Sequence, residues 1–387
     1  MPKGTITLES IETLSILDEH GHVDEKLLPK LTPEELLKAY RFMLFGRRLD
    51  EQAMRYQRQG RIGTFGPNIG QEAAQVGSAM ALADQDWFIP SFRELGVWLW
   101  RGLSTQAYFM GHMGFEDAST NLKGAGNLPM AVPVATQCCH AAGIAWGIKI
   151  DKKKAAAVVY FGDGATSEGS FHEALNFCGT MHLPAVFFCQ NNQWAISTPL
   201  KKQTASGSLA QKAVAYGVKG VQVDGNDVFA VYVAAQEALE RARNGKGATL
   251  IEALTFRKSV HTTADDPTVY RTIEEERLWE SKDPLSRFKK YLESKNFLNE
   301  KKNHELEEKI AQEIKQGYEK AEEFRNSNPD PLSYFDYVYE RMPAYLQWQK
   351  ETAQSQCMGR NMIKGATEAA VAGSGAAAVG QLEEAAD

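Results

Sequence analysis

Between residues 155 and 257, four short apolar runs, "AAAVVYF", "PAVFFCQ", "GVQVDG" and "TLIEALTFR", alternate with helix-like segments. This alternation constrains the fold more than any other feature of the chain. Short runs without a polar face suit strands covered on both sides, as parallel strands are. Between them, "SFHEALNFCGTMH" and "VFAVYVAAQEALERARNG" carry apolar residues at helical spacing, and the second stops at a glycine. The order predicts an α/β fold, an open parallel sheet with helices on both faces.

The flanking segments read as helices. "LTPEELLKAYRF" offers Thr32 as cap, Pro33 at the first helical position and Glu35 to close a capping box. "GQEAAQVGSAMALA" and "ATQCCHAAGIAWGIKI" are rich in small residues and predict buried helices. His140 beside Cys138 and Cys139 raises the question of a metal. Adjacent cysteines on a regular helix cannot both face one ion, so core packing is expected instead. Residues 276–326 predict helix, with Leu306, Ile310, Ile314, Tyr318 and Ala321 as an apolar stripe for packing. The expected organisation is an extension at 1–30, one domain at 31–350 with a helical end, and an Ala/Gly-rich, loosely ordered tail at 351–387.

Composition removes several functions. A net charge of -6 speaks against nucleic acid or an anionic membrane surface as partner. No apolar run approaches the roughly 18 residues that cross a bilayer, and no basic-then-apolar leader opens the chain. Five cysteines, odd in number and without a CxxC, predict free buried thiols and a cytoplasmic location.

The chemistry concentrates in "YFGDGATSEGSFHEALNFCGTMHLPAVFFCQNNQWAISTP", residues 160–199. In a parallel sheet the first turn after a strand faces the ligand crevice. Gly162 and Gly164 let that turn bend sharply and approach a ligand closely, and Asp163 presents a hard oxygen. The next strand delivers Asn191 and Asn192 to the same edge. A carboxylate, an amide oxygen and glycine-rich N–H groups suit magnesium diphosphate. GDG alone would more often be a plain tight turn. GDG followed by NN, each at the end of a buried strand, is far more specific.

This stretch looks like the thiamin-diphosphate motif. With "GQEAAQVG", "PSFRELG", "RGLS", "VDGNDVFAVY" and "FRKSVHTTADDPTVYR", residues 30–350 resemble the alpha subunit of the first component of 2-oxo acid dehydrogenase complexes. The resemblance implies that Asp163, Asn192 and the Trp194 carbonyl hold Mg2+, with Gly164 and Ala165 lining the diphosphate of thiamin diphosphate. It implies phosphate pairing by Arg93 and Arg257, and backbone contacts from Val132 and Val134 to the aminopyrimidine. His261 would reach the reacting centre from a loop, and Phe92 would stand beside the phosphates. The implied reaction is oxidative decarboxylation of a 2-oxo acid, pyruvate favoured, with acyl transfer to a lipoyl-bearing acyltransferase core. A beta subunit, in a heterotetramer, would supply the pyrimidine-side glutamate.

Departures accompany the likeness. Phe92 stands where relatives usually carry tyrosine, Thr64 and Gly66 replace bulkier residues near the substrate, and Thr262 replaces a regulatory serine. The alternatives are a branched-chain 2-oxo acid or acetoin dehydrogenase alpha subunit, or an assembly subunit without chemistry. The set Asp163, Asn192, Arg257 and His261 argues against the last.

Overall fold

The computed structural model describes residues 10–115, 126–327, 330 and 332–356. Along β3 (Ala157–Gly162) the side chains alternate between the two faces of a sheet, as strand geometry dictates. Ala157, Val159 and Phe161 enter one core with Ala185, Phe187 and Cys189 of β4 (Ala185–Asn191). Val158 and Tyr160 enter a second core with Val186, Phe188, Ile251 and Ala253. Both faces are apolar because both are covered, which is why these strands read as continuous apolar runs.

The sheet has six parallel strands in the order β1-β7-β8-β4-β3-β2. The outer members are β1 (Glu12–Leu14) and β2 (Trp87–Ile89), and β7 (Lys219–Asp224) and β8 (Thr249–Leu254) complete it. A small antiparallel pair, β5 (Trp194–Ala195) with β6 (Thr198–Pro199), follows β4.

Helices α1 (Pro33–Arg58), α2 (Glu72–Ala81), α3 (Leu95–Trp100) and α4 (Thr105–His112) lie early in the chain. The capping box expected at Thr32 and Glu35 forms at the start of α1. Then come α5 (Thr136–Ile150), α6 (Gly169–Thr180), the one-turn α7 (Leu200–Gln203) and α8 (Val228–Arg243). The stretch predicted as helix from 276 divides into α9 (Ile273–Ser281), α10 (Pro284–Ser294) and α11 (Glu300–Asn326). Asp283 caps α10 and Pro284 opens it, so the chain breaks there. On α11, Ile310, Ile314, Tyr318 and Ala321 are buried, as the stripe predicts.

The connections set the position of a crevice. From β2 through α5 to β3, and through α6 to β4, the chain crosses the sheet in one direction on one face. From β7 through α8 to β8 it crosses back on the other face. The direction reverses between β4 and β8, which are paired neighbours, and ligands bind at the carboxyl ends of strands at such a reversal.

Two expectations for α5 fail. Cys138 is buried, but Cys139 and His140 are exposed, so neither packs in the core. The helix carries an outward apolar face that neighbouring small residues cannot reveal from sequence. Cys357 and most of the expected tail lie outside the described residues.

The chain divides into two compact units at Ala321 and Glu322. In the second, Leu332, Phe335 and Leu346 form a small core with Met342 and Ala353, and residues 344–356 are helical. Among the described residues, no helix is long and apolar enough to cross a membrane.

Candidate active site

Four strands that are neighbours in the sheet, β8, β4, β3 and β2, bring Arg257, Asn192, Asp163 and Arg93 to one edge. β3 and β4 pair in register, Gly162 opposite Gln190, so Asp163 and the asparagines leave the sheet side by side. The turn itself differs from a sharp glycine bend. Residues Asp163–Ser167 form a 3-10 turn, and neither Gly162 nor Gly164 needs a left-handed conformation. Gly164 is required by closeness: a Cβ there would lie 2.8 Å from the Cβ of Ala195.

Asp163 is buried, and burial pushes its carboxyl up to about 6, against hydrogen bonds from Gln203 and the Asn192 backbone and the charge of Arg257. The Gln203 amide donates to its Oδ2 at 2.6 Å. Asn192 donates to Gln71 at 3.1 Å, and its own amide oxygen accepts the Trp194 N–H at 3.3 Å. The Trp194 carbonyl accepts from Arg257 at 3.4 Å. Asn191 turns away, bonded to Glu252 at 2.7 Å.

Two guanidiniums converge on one imidazole. Arg93 Nη2 lies 3.3 Å and Arg257 Nη1 lies 3.2 Å from His261 Nδ1. Both groups can only donate, so Nδ1 is the acceptor and the ring proton sits on Nε2. Burial first, then the charges of Arg93 and Arg257, press the imidazole down to about 4. The cost is mutual, since burial and then the Arg257 charge lower Arg93 to about 10. Asp265 accepts the His261 N–H at 2.7 Å and the Tyr270 hydroxyl at 2.5 Å, which fastens the loop after β8.

Phe92 sets its ring edge-on to His261, centroids 6.2 Å apart. A Cβ on Gly66 would meet the Arg93 guanidinium at 3.1 Å, so the small residue there makes room for the arginine. Thr64 reaches the same loop, its hydroxyl 2.7 Å from that of Thr263. Val132 and Val134 stand apart from this cluster on the exposed segment before α5, 64% and 50% exposed. That segment is tied to the edge by the Ala131 N–H on the Ser91 carbonyl at 3.0 Å.

The residues fit a hard cation and a polyanion. A buried carboxylate, an amide oxygen and the second lone pair of the Trp194 carbonyl are hard oxygen donors, and Gly164 keeps the turn that carries the carboxylate close against Ala195. Arg257 Nε is buried with no hydrogen-bond partner among the described residues. The carboxylates that act on Arg257, Asp163 and Asp265, take hydrogen bonds from Gln203 and Tyr270, and the guanidinium itself donates to carbonyls and a hydroxyl rather than to a carboxylate.

Sequence reasoning assigned no role to Gln71, Gln203, Asp265 or Tyr270. Gln71, Asp265 and Tyr270 stand within motifs that carry the resemblance, which was the available signal. Gln203 follows "AISTP" with nothing to mark it.

The fold and this donor set define a doubly wound α/β protein that gathers oxygen donors and two guanidiniums at one sheet edge. Sequence relatives narrow the class. Residues 40–330 match the family described as Dehydrogenase E1 component. The chain is 45% identical over 336 residues to the pyruvate dehydrogenase E1 component subunit alpha of Acholeplasma laidlawii, covering 86% of this chain and 97% of that protein. It is 43% identical over 347 residues to the protein of the same name from Staphylococcus epidermidis, covering 89% and 93%. The chain belongs to the dehydrogenase E1 component family, the thiamin-diphosphate-dependent first component of 2-oxo acid dehydrogenases.

Proposed function

We propose that the chain is the alpha subunit of a pyruvate-decarboxylating E1 component, using Mg2+ and thiamin diphosphate and passing an acetyl group to a lipoyl-bearing acyltransferase core. The observation that carries this reading is the meeting of Asp163, Asn192 and Trp194 with Arg93, Arg257 and His261 at one sheet edge. The names of the two relatives favour pyruvate over a branched-chain acid.

Thiamin diphosphate, when bound, supplies the nucleophilic carbon and the electron sink for loss of carbon dioxide. Asp163, Asn192 and the Trp194 carbonyl would hold Mg2+, and the N–H groups of Gly164 and Ala165 would face the diphosphate. Arg93 and Arg257 would neutralise its charge; their rigid forks of donors suit phosphate oxygens. His261 stays neutral at pH 7 and offers its Nε2 proton toward the reacting centre. Phe92 excludes water beside the imidazole in place of a phosphate-bonding hydroxyl.

A second subunit completes the reading. On α5, Cys139, Gly143, Trp146, Gly147 and Ile150 face outward, with Trp146 45% and Ile150 64% exposed. A Cβ on Gly143 or Gly147 would meet nothing, so a partner backbone can approach closely there. Val132 and Val134 open from the same region, and together they support a beta subunit covering this face and closing the site. Obligate interfaces of this apolar kind bury roughly 2,000 Å² or more. The test is turnover with pyruvate against 3-methyl-2-oxobutanoate. The chain alone should be inactive and the chain assembled with its beta subunit active, pyruvate preferred. Robust turnover by the isolated chain would refute the shared-site reading, and preference for the branched acid would reassign the substrate.

A further inference from the structure

Arg93 carries a buried charge whose guanidinium bonds to the carbonyls of Pro67 and His261 and to the imidazole, with the Phe92 ring beside it. Among the described residues no carboxylate bonds to its tip directly; Arg257 repels it, and Asp50 and Glu94 attract it only through space. An arginine with four side-chain torsions is held in such a place only if its backbone end is fixed.

We infer that Gln75, Gln190 and Glu94 are positioning residues for the reaction, a buried clamp on the Arg93 peptide that aims its guanidinium at the diphosphate. The inference rests on the proposed cofactor reading. Gln75 Nε2 donates to the Arg93 carbonyl at 2.8 Å, and Gln190 Nε2 reaches the same oxygen at 3.3 Å. Glu94 Oε2 accepts the Arg93 N–H at 3.0 Å. Both backbone polar groups of that one residue, the N–H of the peptide before it and the carbonyl of the peptide after it, are therefore gripped by side chains.

The grips are also joined to one another. Gln190 Nε2 donates to Glu94 Oε1 at 2.8 Å, and Gln75 Nε2 to Gln190 Oε1 at 3.1 Å. Gln75 Oε1 accepts the Gly96 N–H at 2.7 Å, which orients the amide. Exposures of 1% for Gln75 and 2% for Glu94 and Gln190 leave no water to substitute for a lost partner. The three come from α2, the residue before α3, and β4, so the clamp ties Arg93 to the strand that delivers Asn192. Such supporting shells hold a binding group to within a fraction of an ångström.

Glu94→Gln keeps the volume but turns an amide NH2 against either Gln190 Nε2 or the Arg93 N–H, two donors. The experiment measures thiamin diphosphate affinity, with Mg2+, by calorimetry on the full chain assembled with its beta subunit, as a double-mutant cycle with Arg93→Ala. Glu94→Gln should weaken binding about tenfold or more in the wild-type background and less than about twofold in Arg93→Ala. Glu94→Gln combined with Gln190→Glu reverses the polarity of that bond and should restore affinity to within about threefold. A clamp that merely satisfies buried groups would lower the melting temperature equally in both backgrounds and leave affinity untouched, which would overturn the inference. An equal loss of affinity with and without Arg93 would overturn it too. Should Glu94→Gln fail to fold, Gln75→Leu removes the strongest grip on the carbonyl and is judged by the same cycle. If wild type binds no thiamin diphosphate, the cofactor reading itself fails; if it binds and the cycle shows no coupling, only the clamp does.

Discussion

Replacing Arg93 by methionine should move stability and cofactor affinity in ways that separate a binding arginine from a structural one. In the cofactor-free chain, the guanidinium is pressed down to about 10, chiefly by burial and next by Arg257. That fall corresponds to a charged form disfavoured by about 3 kcal/mol. At pH 7 the group is charged both folded and unfolded, so the cost is constant and only removing the group reveals it. Methionine keeps most of the apolar stem and removes the charge. Against the relief stand the bonds to the Pro67 and His261 carbonyls, each worth about 1 kcal/mol net and more if the oxygens stay dry. The cofactor-free variant should therefore melt within about 1 kcal/mol of wild type, or slightly above it. Binding should behave oppositely. Charge-assisted bonds to phosphate contribute about 1.5–3 kcal/mol, so the affinity for thiamin diphosphate should fall roughly 10- to 150-fold. At a concentration one hundred times the wild-type Kd, the ligand stabilises wild type by about 2.7 kcal/mol and the variant by at least about 1 kcal/mol less. Calorimetric scans with and without thiamin diphosphate and Mg2+ read both effects. A cofactor-free variant destabilised by about 3 kcal/mol or more, with affinity unchanged, would refute the reasoning and make Arg93 a structural residue.

Two further outcomes follow from the same cluster. His261→Ala should leave thiamin diphosphate affinity within about a few-fold while turnover of the full complex drops by about two orders of magnitude, and turnover equal to wild type would remove the imidazole from the chemistry. The Asp163 carboxyl, raised by burial to about 6, favours its proton in the folded chain, so its contribution to stability is present at low pH and lost as pH rises through about 6. Mg2+ takes only the carboxylate; its affinity should therefore fall about tenfold per pH unit below about 6 and level off above about 7. Calorimetric titration between pH 5 and 8 checks this, and a flat profile would reject Asp163 as the ligand.

What the sequence made legible was whatever depends on periodicity and strand-end geometry. The runs around Val158, Phe187 and Ile251 are strands because each presents apolar residues to both covering layers, and that pattern is written in one dimension; the run around Val221 presents them to one layer. The meeting of Asp163 with Asn192 was legible for the same reason, since both leave paired neighbouring strands. The convergence of Arg93 and Arg257 on His261 was not. It depends on β2 lying next to β3 and on β8 inserting beside β4, an order of strands that local spacing does not encode. Cys139 and His140 were misplaced because a helix of small residues has too little amphipathic contrast to show which side faces out. Gln203 reached Asp163 from a four-residue helix with no spacing signal at all.

The cluster explains why a fold would tolerate two buried guanidiniums against one imidazole. Stability alone would select against it, since Arg93, Arg257 and His261 are each pushed away from their charged forms. The same repulsion is an advantage to an anion, which finds its positive partners already desolvated and fixed, with little reorganisation left when it binds. It also couples binding to the state of the imidazole. Burial first, and then two cations, press His261 toward its neutral form, and a diphosphate that offset those cations would let its pKa rise. On the proposed reading, filling the anion site beside His261 would raise the proton affinity of the imidazole, so one arrangement of charges would couple cofactor binding to the state of the ring.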